Sequence, residues 1–476
     1  MSFTSFKFLQ FIFPVLMVYY LIPSVFWKKC ILFVASLIFY LNFESSALFY
    51  LIGVILYVYS VGFLLENAKS KWALFFAVFP VLAGLCIYKY SDFCLIFLSD
   101  LFSFPLKSNN LIAPLGISFF TFKSLGYLID IYLGKQNPDI SLLNVGLYLS
   151  FFPQITSGPI QKSQEFLSQI YQNRKFNSAL TQHGTMLILF GVFEKMVISD
   201  RLYLLVEHCF SDLTKLSPSC AVIGAVGYAF QIYSDFDSYS NIAIGLTELF
   251  GYTCSKNFNV PYLARNMQEF WKRWHISLSS WLKEYVYIPL GGNRKGLIRK
   301  YLNLLIVFAI SGLWHGAAWN FVFWGILNGV VQIVYDLSIG QVIAKCNIKN
   351  HVVRFLGSVM GVIVNFCIVV ILWVFFRFQT LEEIQVVLKT MMQLDLQSFS
   401  LAMEGFALSE IMVTIALVIM LVIADVWRYF GFTMNHFRKM PFVLRAIVYF
   451  VMLILFVIFA VYGPGYDPAK FIYLEF

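Results

Sequence analysis

The chain reads as an all-α, polytopic integral membrane protein, and three observations predict that class. Of its 476 residues, 60% are hydrophobic and 12% charged, about half the charge a soluble domain carries. Mean hydropathy is +0.76. Apolar stretches recur from end to end without the residue-by-residue alternation of a transmembrane β-barrel. A soluble enzyme, a disordered chain, a collagen and a coiled coil fail on the same numbers.

A spanning helix needs about 20 mainly apolar residues. Stretches of that kind lie near 6–26, 30–43, 46–66, 72–99, 111–133, 143–157, 178–210, 220–251, 303–340, 352–378, 408–430 and 442–463. Several are too short or too long for one crossing. The pattern therefore predicts roughly ten to twelve spans, with re-entrant and interfacial helices besides. The first stretch runs into Lys28 and Lys29 without a small-residue cleavage site and reads as an uncleaved first span. With no repeat and no low-complexity linker, 1–476 reads as a single membrane-embedded domain. The eight cysteines, Cys346 among them, form no C-x-x-C pair and read as small buried hydrophobes.

The net charge of +9 fits the excess of Lys and Arg in cytoplasmic loops and needs no nucleic acid to explain it. From Arg265 to Lys300 there are eight basic residues against Glu269 and Glu284, a surplus of six and two thirds of the chain's total. This basic segment, 252–302, is the longest stretch without a good span, so it is expected to face the cytoplasm. Within it Phe270, Trp274, Leu278, Trp281, Leu282 and Tyr285 recur at helical spacing, with Lys272, Arg273, Ser279 and Lys283 between them. That predicts an amphipathic helix lying in the membrane interface, ended by the turn residues Pro289-Leu290-Gly291-Gly292-Asn293. The segment 379–407 holds Glu382, Glu383, Asp395 and Glu404 against Lys389 alone. It is expected on the outer face, where it offers a docking surface for a partner.

Two histidines stand out. His315 lies in Ser311-Gly312-Leu313-Trp314-His315-Gly316, inside the apolar stretch 303–340. An ionisable group at membrane depth is costly and tends to face a cavity or pathway; the alternative is a carbonyl-bonded His gluing helices together. His275 lies among Trp and Lys on the basic segment, where an interfacial His needs no catalytic job. Asp130, Glu194, Lys195, Asp200, Arg201, Asp235, Asp237, Asp336, Arg377 and Asp425 also fall in apolar stretches, and each has a structural pairing as its plain reading. There is no G-x-S-x-G, Walker A, H-E-x-x-H or G-x-G-x-x-G motif.

The run from Arg265 through Phe270-Trp271-Lys272-Arg273-Trp274-His275 to Leu278 resembles the signature of membrane-bound O-acyltransferases. So do Tyr285–Asn293 and Gly312-Leu313-Trp314-His315-Gly316-Ala317-Ala318-Trp319. Pro114-Leu115-Gly116, Phe151-Phe152-Pro153-Gln154 and the tail Phe471-Ile472-Tyr473 extend the likeness over nearly the whole chain. The branch it is most similar to is the bacterial alginate and peptidoglycan O-acetyltransferase type. One departure is Asn241, where a carboxylate is common in the family.

The resemblance implies a helical bundle of that family, with no bound cofactor and no metal, in the bacterial cytoplasmic membrane. It implies that His315, on the 303–340 segment, is the catalytic residue and that His275, 40 residues upstream, is a second site position. It implies acetyl-CoA as donor, with Lys272, Arg273, Arg294 and Lys295 as counter-charges for its phosphates; those charges also suffice to set topology and bind anionic lipid. An extracytoplasmic, SGNH-hydrolase-like acetyltransferase is the implied partner. Two rivals are a D-alanyl transferase for teichoic acid fed by a carrier protein and a transporter using His315 as a relay.

Overall fold

In the computed structural model the described residues are 1–43, 45–103, 111–338, 350–393 and 407–462. Cys346, Asp395, Glu404 and the Phe471-Ile472-Tyr473 tail lie outside them. Among the described residues every regular element is helical. In chain order these are α1 (Phe6–Leu21), α2 (Val25–Leu41), α3 (Ser45–Glu66), α4 (Lys71–Phe102), α5 (Ile117–Tyr132), α6 (Leu142–Ser150), α7 (Ser163–Ile170), α8 (Ser178–Phe193), α9 (Asp200–Cys209), α10 (Pro218–Leu249), α11 (Met267–Trp271), α12 (Ile276–Leu282), α13 (Leu297–His315), α14 (Trp319–Leu337), α15 (His351–Arg377), α16 (Leu381–Met391), α17 (Leu408–Tyr429), α18 (Met434–Lys439) and α19 (Phe442–Phe459).

Seven of the described helices are long and apolar enough to cross a membrane: α3, α4, α13, α14, α15, α17 and α19. The difference from the expected ten to twelve has a physical origin. α1, α2, α5 and α8 are apolar but only 16 or 17 residues long. α10 has 32 residues but carries Gln231, Ser234, Asp235 and Asp237 in its middle. At the other extreme, none of α19 is buried, as suits a rod that is apolar all round and meets lipid.

Contacts divide the chain into two compact units, Met1–Leu189 with Tyr239–Lys256, and Phe190–Ser238 with Asn257–Phe476. In the first, the Pro114-Leu115-Gly116 turn needs its glycine. Gly116 caps α5 at φ +70°, and a Cβ there would lie 2.1 Å from the Ile155 carbonyl oxygen. Lys123 of α5 is buried. It donates to the Tyr148 carbonyl and to Gln154 Oε1, both at 3.0 Å, which uses the Gln of the Phe-Phe-Pro-Gln block as an internal acceptor.

In the second unit, α8 passes into α9 through one π-helical turn, Glu194–Ser199. The extra residue in that turn brings positions five apart into register. Lys195 therefore reaches Asp200 at 2.9 Å as well as Asp235 of α10 at 2.5 Å. Two residues on, Asp237 meets Arg428 of α17 at 3.1 Å. Arg428 also binds Asp425, which accepts from the Tyr233 hydroxyl at 2.9 Å. Lys195 and the four aspartates are buried, where each charge costs several kcal/mol unless paired, roughly. Phe236, between two anchored aspartates, is thereby held in one orientation.

The stretch 303–340, too long for one crossing, is not a single helix: it turns back at Gly316-Ala317-Ala318 into the antiparallel pair α13 and α14, each 19 residues long. Lys300 near the start of α13 pairs with Asp336 near the end of α14 at 2.7 Å. Glycines let the two backbones touch: a Cβ on Gly312 would lie 2.1 Å from the Phe321 carbonyl oxygen, and one on Gly325 would lie 2.2 Å from that of Phe308. Likewise, the amphipathic run 270–285 is not one interfacial helix. It breaks into α11, a left-handed residue at His275, α12 and a π turn over Lys283–Tyr287. Its apolar members Phe270, Trp274, Leu278, Trp281 and Leu282 are buried in protein. The terminating turn is as expected, with Gly291 at φ +106° and Gly292 at φ +56°.

Candidate active site

His275 sits at the N-cap of α12 with φ +41°, a conformation that costs a non-glycine residue about 1–3 kcal/mol and persists only when its surroundings impose it. The surroundings do so from both sides. The Asn259 N–H donates to the Arg273 carbonyl and the Ile276 N–H to the Asn257 carbonyl, both at 2.9 Å. The Ser277 hydroxyl adds a 2.6 Å bond to Asn257 Oδ1. The strained turn aims the imidazole inward, where it is fully buried. The Phe236 ring meets it edge-on at 4.7 Å between centroids, so the ion-paired α10 cluster indirectly orients His275.

His315 is the last residue of α13 and is buried. Trp324 of α14 lies 5.1 Å from it, Phe376 of α15 5.2 Å, and Trp314 4.9 Å, all edge-on. Trp373 stacks behind Trp324 at 5.6 Å. The two imidazole centroids are 6.5 Å apart, with Trp314 5.7 Å from His275. The structure thus brings together two buried residues 40 positions apart in sequence among aromatic rings. An imidazole so placed is suited to proton transfer or acyl transfer.

Burial pushes the His275 pKa down to about 3, so the ring is neutral at physiological pH and offers one donor and one acceptor. Because the folded value lies below the ordinary one of about 6.5, the associated stability is fully present above that pH. It is lost as pH falls toward 3, at about 1.4 kcal/mol per unit. Thermal unfolding of solubilised protein between pH 7 and pH 5 should therefore fall more steeply for wild type than for His275→Asn, since asparagine tolerates a left-handed backbone. Parallel slopes would contradict a buried neutral His275.

The four basic residues expected at a donor phosphate are not equivalent. Lys272 is exposed. Arg273 is already committed to Glu269 at 2.8 Å and lies over the Tyr429 ring. Arg294 and Lys295 are exposed on the Gly291-Gly292 turn. Asn303 of α13 holds that turn by donating to the Gly292 carbonyl at 2.9 Å and the Leu290 carbonyl at 3.3 Å. Sequence reasoning missed the turn's anchor Asn303, the clamp Asn257 and the lever Phe236. Phe236 sits between Asp235 and Asp237, a pair already visible in the sequence. No group of three His, Cys, Asp or Glu side chains that could hold a metal ion occurs among the described residues.

The profile of the membrane-bound O-acyltransferase family matches residues 135–378, which include both histidines. The chain is 35% identical to a peptidoglycan O-acetyltransferase of Helicobacter pylori over 399 residues, covering 78% of this chain and 74% of the relative. It is 33% identical to a probable alginate O-acetylase of Pseudomonas aeruginosa over 391 residues, covering 80% and 73%. A teichoic acid D-alanyltransferase of Bacillus subtilis is 27% identical over 241 residues, covering 48% and 60%.

Proposed function

Because the chain belongs to the membrane-bound O-acyltransferase family, and is therefore a multi-pass membrane acyltransferase, we propose that it draws acetyl groups from cytoplasmic acetyl-CoA for O-acetylation of an extracytoplasmic polysaccharide. Alginate and peptidoglycan are the acceptors named for its relatives. The observation that carries this reading is the pair of buried imidazoles, His315 at the end of α13 and His275 at the start of α12, 6.5 Å apart. The location is the bacterial cytoplasmic membrane, and a count of ten to twelve crossings takes at least three of α1, α2, α5, α8 and α10 to cross beside the seven candidate spans. The whole chain acts as one catalytic domain, and an extracytoplasmic acetyltransferase receives the acetyl group.

His315 is the catalytic residue. Its imidazole takes the proton of the attacking hydroxyl while the oxygen bonds to the thioester carbon; the C–S bond breaks and the proton returns to the leaving thiolate. In the nucleophilic variant the imidazole nitrogen itself carries the acetyl group between donor and acceptor. Neutral His275 steadies the carbonyl oxygen as negative charge develops on it. Arg294 and Lys295, exposed on their glycine turn, receive the donor's phosphates. Lys272 and Arg273 give weaker support, because Arg273 is shared with Glu269.

Mass spectrometry of envelope glycans from wild-type and deletion strains tests the reading. Ester-linked acetate should be lost with the gene; an unchanged glycan refutes it, and loss of ester-linked D-alanine selects teichoic acid instead. In the purified protein, joint Arg294→Ala and Lys295→Ala substitution should raise KM for acetyl-CoA about tenfold with little change in kcat, since two exposed charge-assisted contacts are removed. An unchanged KM assigns those charges to topology alone.

A further inference from the structure

Two left-handed residues lie on the two segments that bond each other around the candidate site: His275 at φ +41° and Val260 at φ +46°. Both conformations are strained in a residue with a Cβ, most of all in β-branched Val260. Such strain persists only where the surroundings over-determine it, and here four rings surround the turn. Phe258 meets Trp274 at 4.9 Å and Phe236 at 4.9 Å between centroids. Tyr233 lies 5.8 Å from Phe258 and 6.1 Å from Trp274. Phe236 abuts the His275 imidazole at 4.7 Å. Tyr233, Phe236, Phe258 and Trp274 are all buried, and close-packed interiors transmit displacement. A shift of Tyr233 or Phe236 is therefore passed to Trp274 and His275.

What fixes Tyr233 and Phe236 comes from much later in the sequence. Phe236 and Asp237 stand three and four residues after Tyr233 on α10, one helical turn on. Arg428, half-buried in the last turn of α17, holds both ends of that turn. Its Nη1 donates to Asp237 at 3.1 Å. Its Nη2 donates to Asp425 and to the Tyr233 hydroxyl, the latter at 3.3 Å. The same hydroxyl donates to Asp425 at 2.9 Å. The neighbouring Tyr429 ring lies 5.2 Å from the guanidinium of Arg273, two residues before His275. A planar guanidinium fork serves two carboxylates and a hydroxyl at once, which the point charge of a lysine does not.

We propose that Arg428 is a positioning residue for His275. It locks Tyr233 and Asp237 in place, and the Tyr233 and Phe236 rings pass that constraint to the Trp274-His275 turn, whose imidazole stands 6.5 Å from that of His315. Arg428 lies beyond residues 135–378, where the family profile matches, so the assignment adds to the site a residue from outside the family signature. It rests on the reading that His315 and His275 carry acyl transfer from a thioester.

The test uses the purified full chain, with thiol release from acetyl-CoA as the activity and hydrogen exchange as a readout that needs no substrate. Arg428→Met strips two buried carboxylates of their partner and is expected to prevent folding. Arg428→Lys keeps the charge, and Tyr233→Phe keeps the ring and every charge. Each should lower kcat about three- to thirtyfold with KM within about twofold, as for a small misplacement of a reacting group. In a His275→Asn background the same changes should alter kcat less than about twofold, because the side chain they position is gone. Amides of 257–277 should exchange about tenfold faster in both variants, with those of α13 unchanged. Unchanged exchange over 257–277, a loss confined to KM, or losses that multiply in full with His275→Asn each overturn the assignment. Wild type that releases no thiol from acetyl-CoA overturns the acetyl-thioester reading instead, and exchange over 257–277 then still decides the role of Arg428.

Discussion

Replacing His315 with alanine is expected to remove ester-linked acetate from the envelope polysaccharide while the protein stays in the membrane at normal abundance. The expected loss in purified protein is about 10²- to 10⁴-fold in kcat, the usual contribution of a positioned proton-transfer group. The side chain ends a helix and faces Trp324 and Phe376. Removing the ring does leave a cavity, so His315→Gln, which refills much of the space without an imidazole, belongs beside it. Both variants should purify as wild type does and both should be inactive. Glycan acetylation at the wild-type level in either would remove His315 from the mechanism.

The second large effect is structural. Gly325→Val should abolish accumulation of folded protein, or lower its Tm by many degrees, and take activity with it. A Cβ on Gly325 would lie 2.2 Å from the Phe308 carbonyl oxygen, which belongs to a helix backbone and cannot swing aside. α13 and α14 must then separate, at a cost at or above the upper end of the roughly 1–3 kcal/mol typical of overpacking. Separation also moves Trp324 away from His315, so any residual folded protein should be slow. Gly357→Ala is the matched control, because nothing lies within 4 Å of the position its Cβ would take. Normal yield and activity of Gly325→Val would show that the hairpin is looser than its glycine contacts imply.

Much of this architecture is legible in the chain. Composition dictates the solvent, helical satisfaction of the backbone follows from it, and the Gly-Leu-Trp-His-Gly block singles out His315. What resists reading is local and has physical reasons. Gly316 is the lone turn residue in Gly316-Ala317-Ala318, and single glycines also occur inside helices, so 303–340 reads as one apolar stretch, too long for one crossing, whose turning point only the backbone contacts at Gly312 and Gly325 reveal. His275 adopts a conformation that sequence associates with glycine or asparagine. Asn257 and Asn259 impose it through backbone bonds and through Asn257 Oδ1 on the Ser277 hydroxyl, and the same break turns an apparent surface helix into buried protein. Charge type was readable at Arg273 but its commitment was not, since Glu269 lies four residues away on a helix short enough to be missed.

The π turn at Glu194–Ser199 carries a consequence for the length of the chain itself. It holds one residue more than an α-helical turn would, and the match between Lys195 and Asp200 exists only because of that surplus. Deleting a single residue between them would restore ordinary winding and leave Lys195 and Asp200 four residues apart, still neighbours on one helix face. Arg201 would likewise keep its aim at the Phe459 carbonyl, which it now reaches at 3.0 Å. The turn is thus a place where this helix can lose a residue without a change of phase, whereas the same deletion within α9 would turn every later side chain of that helix by about 100°.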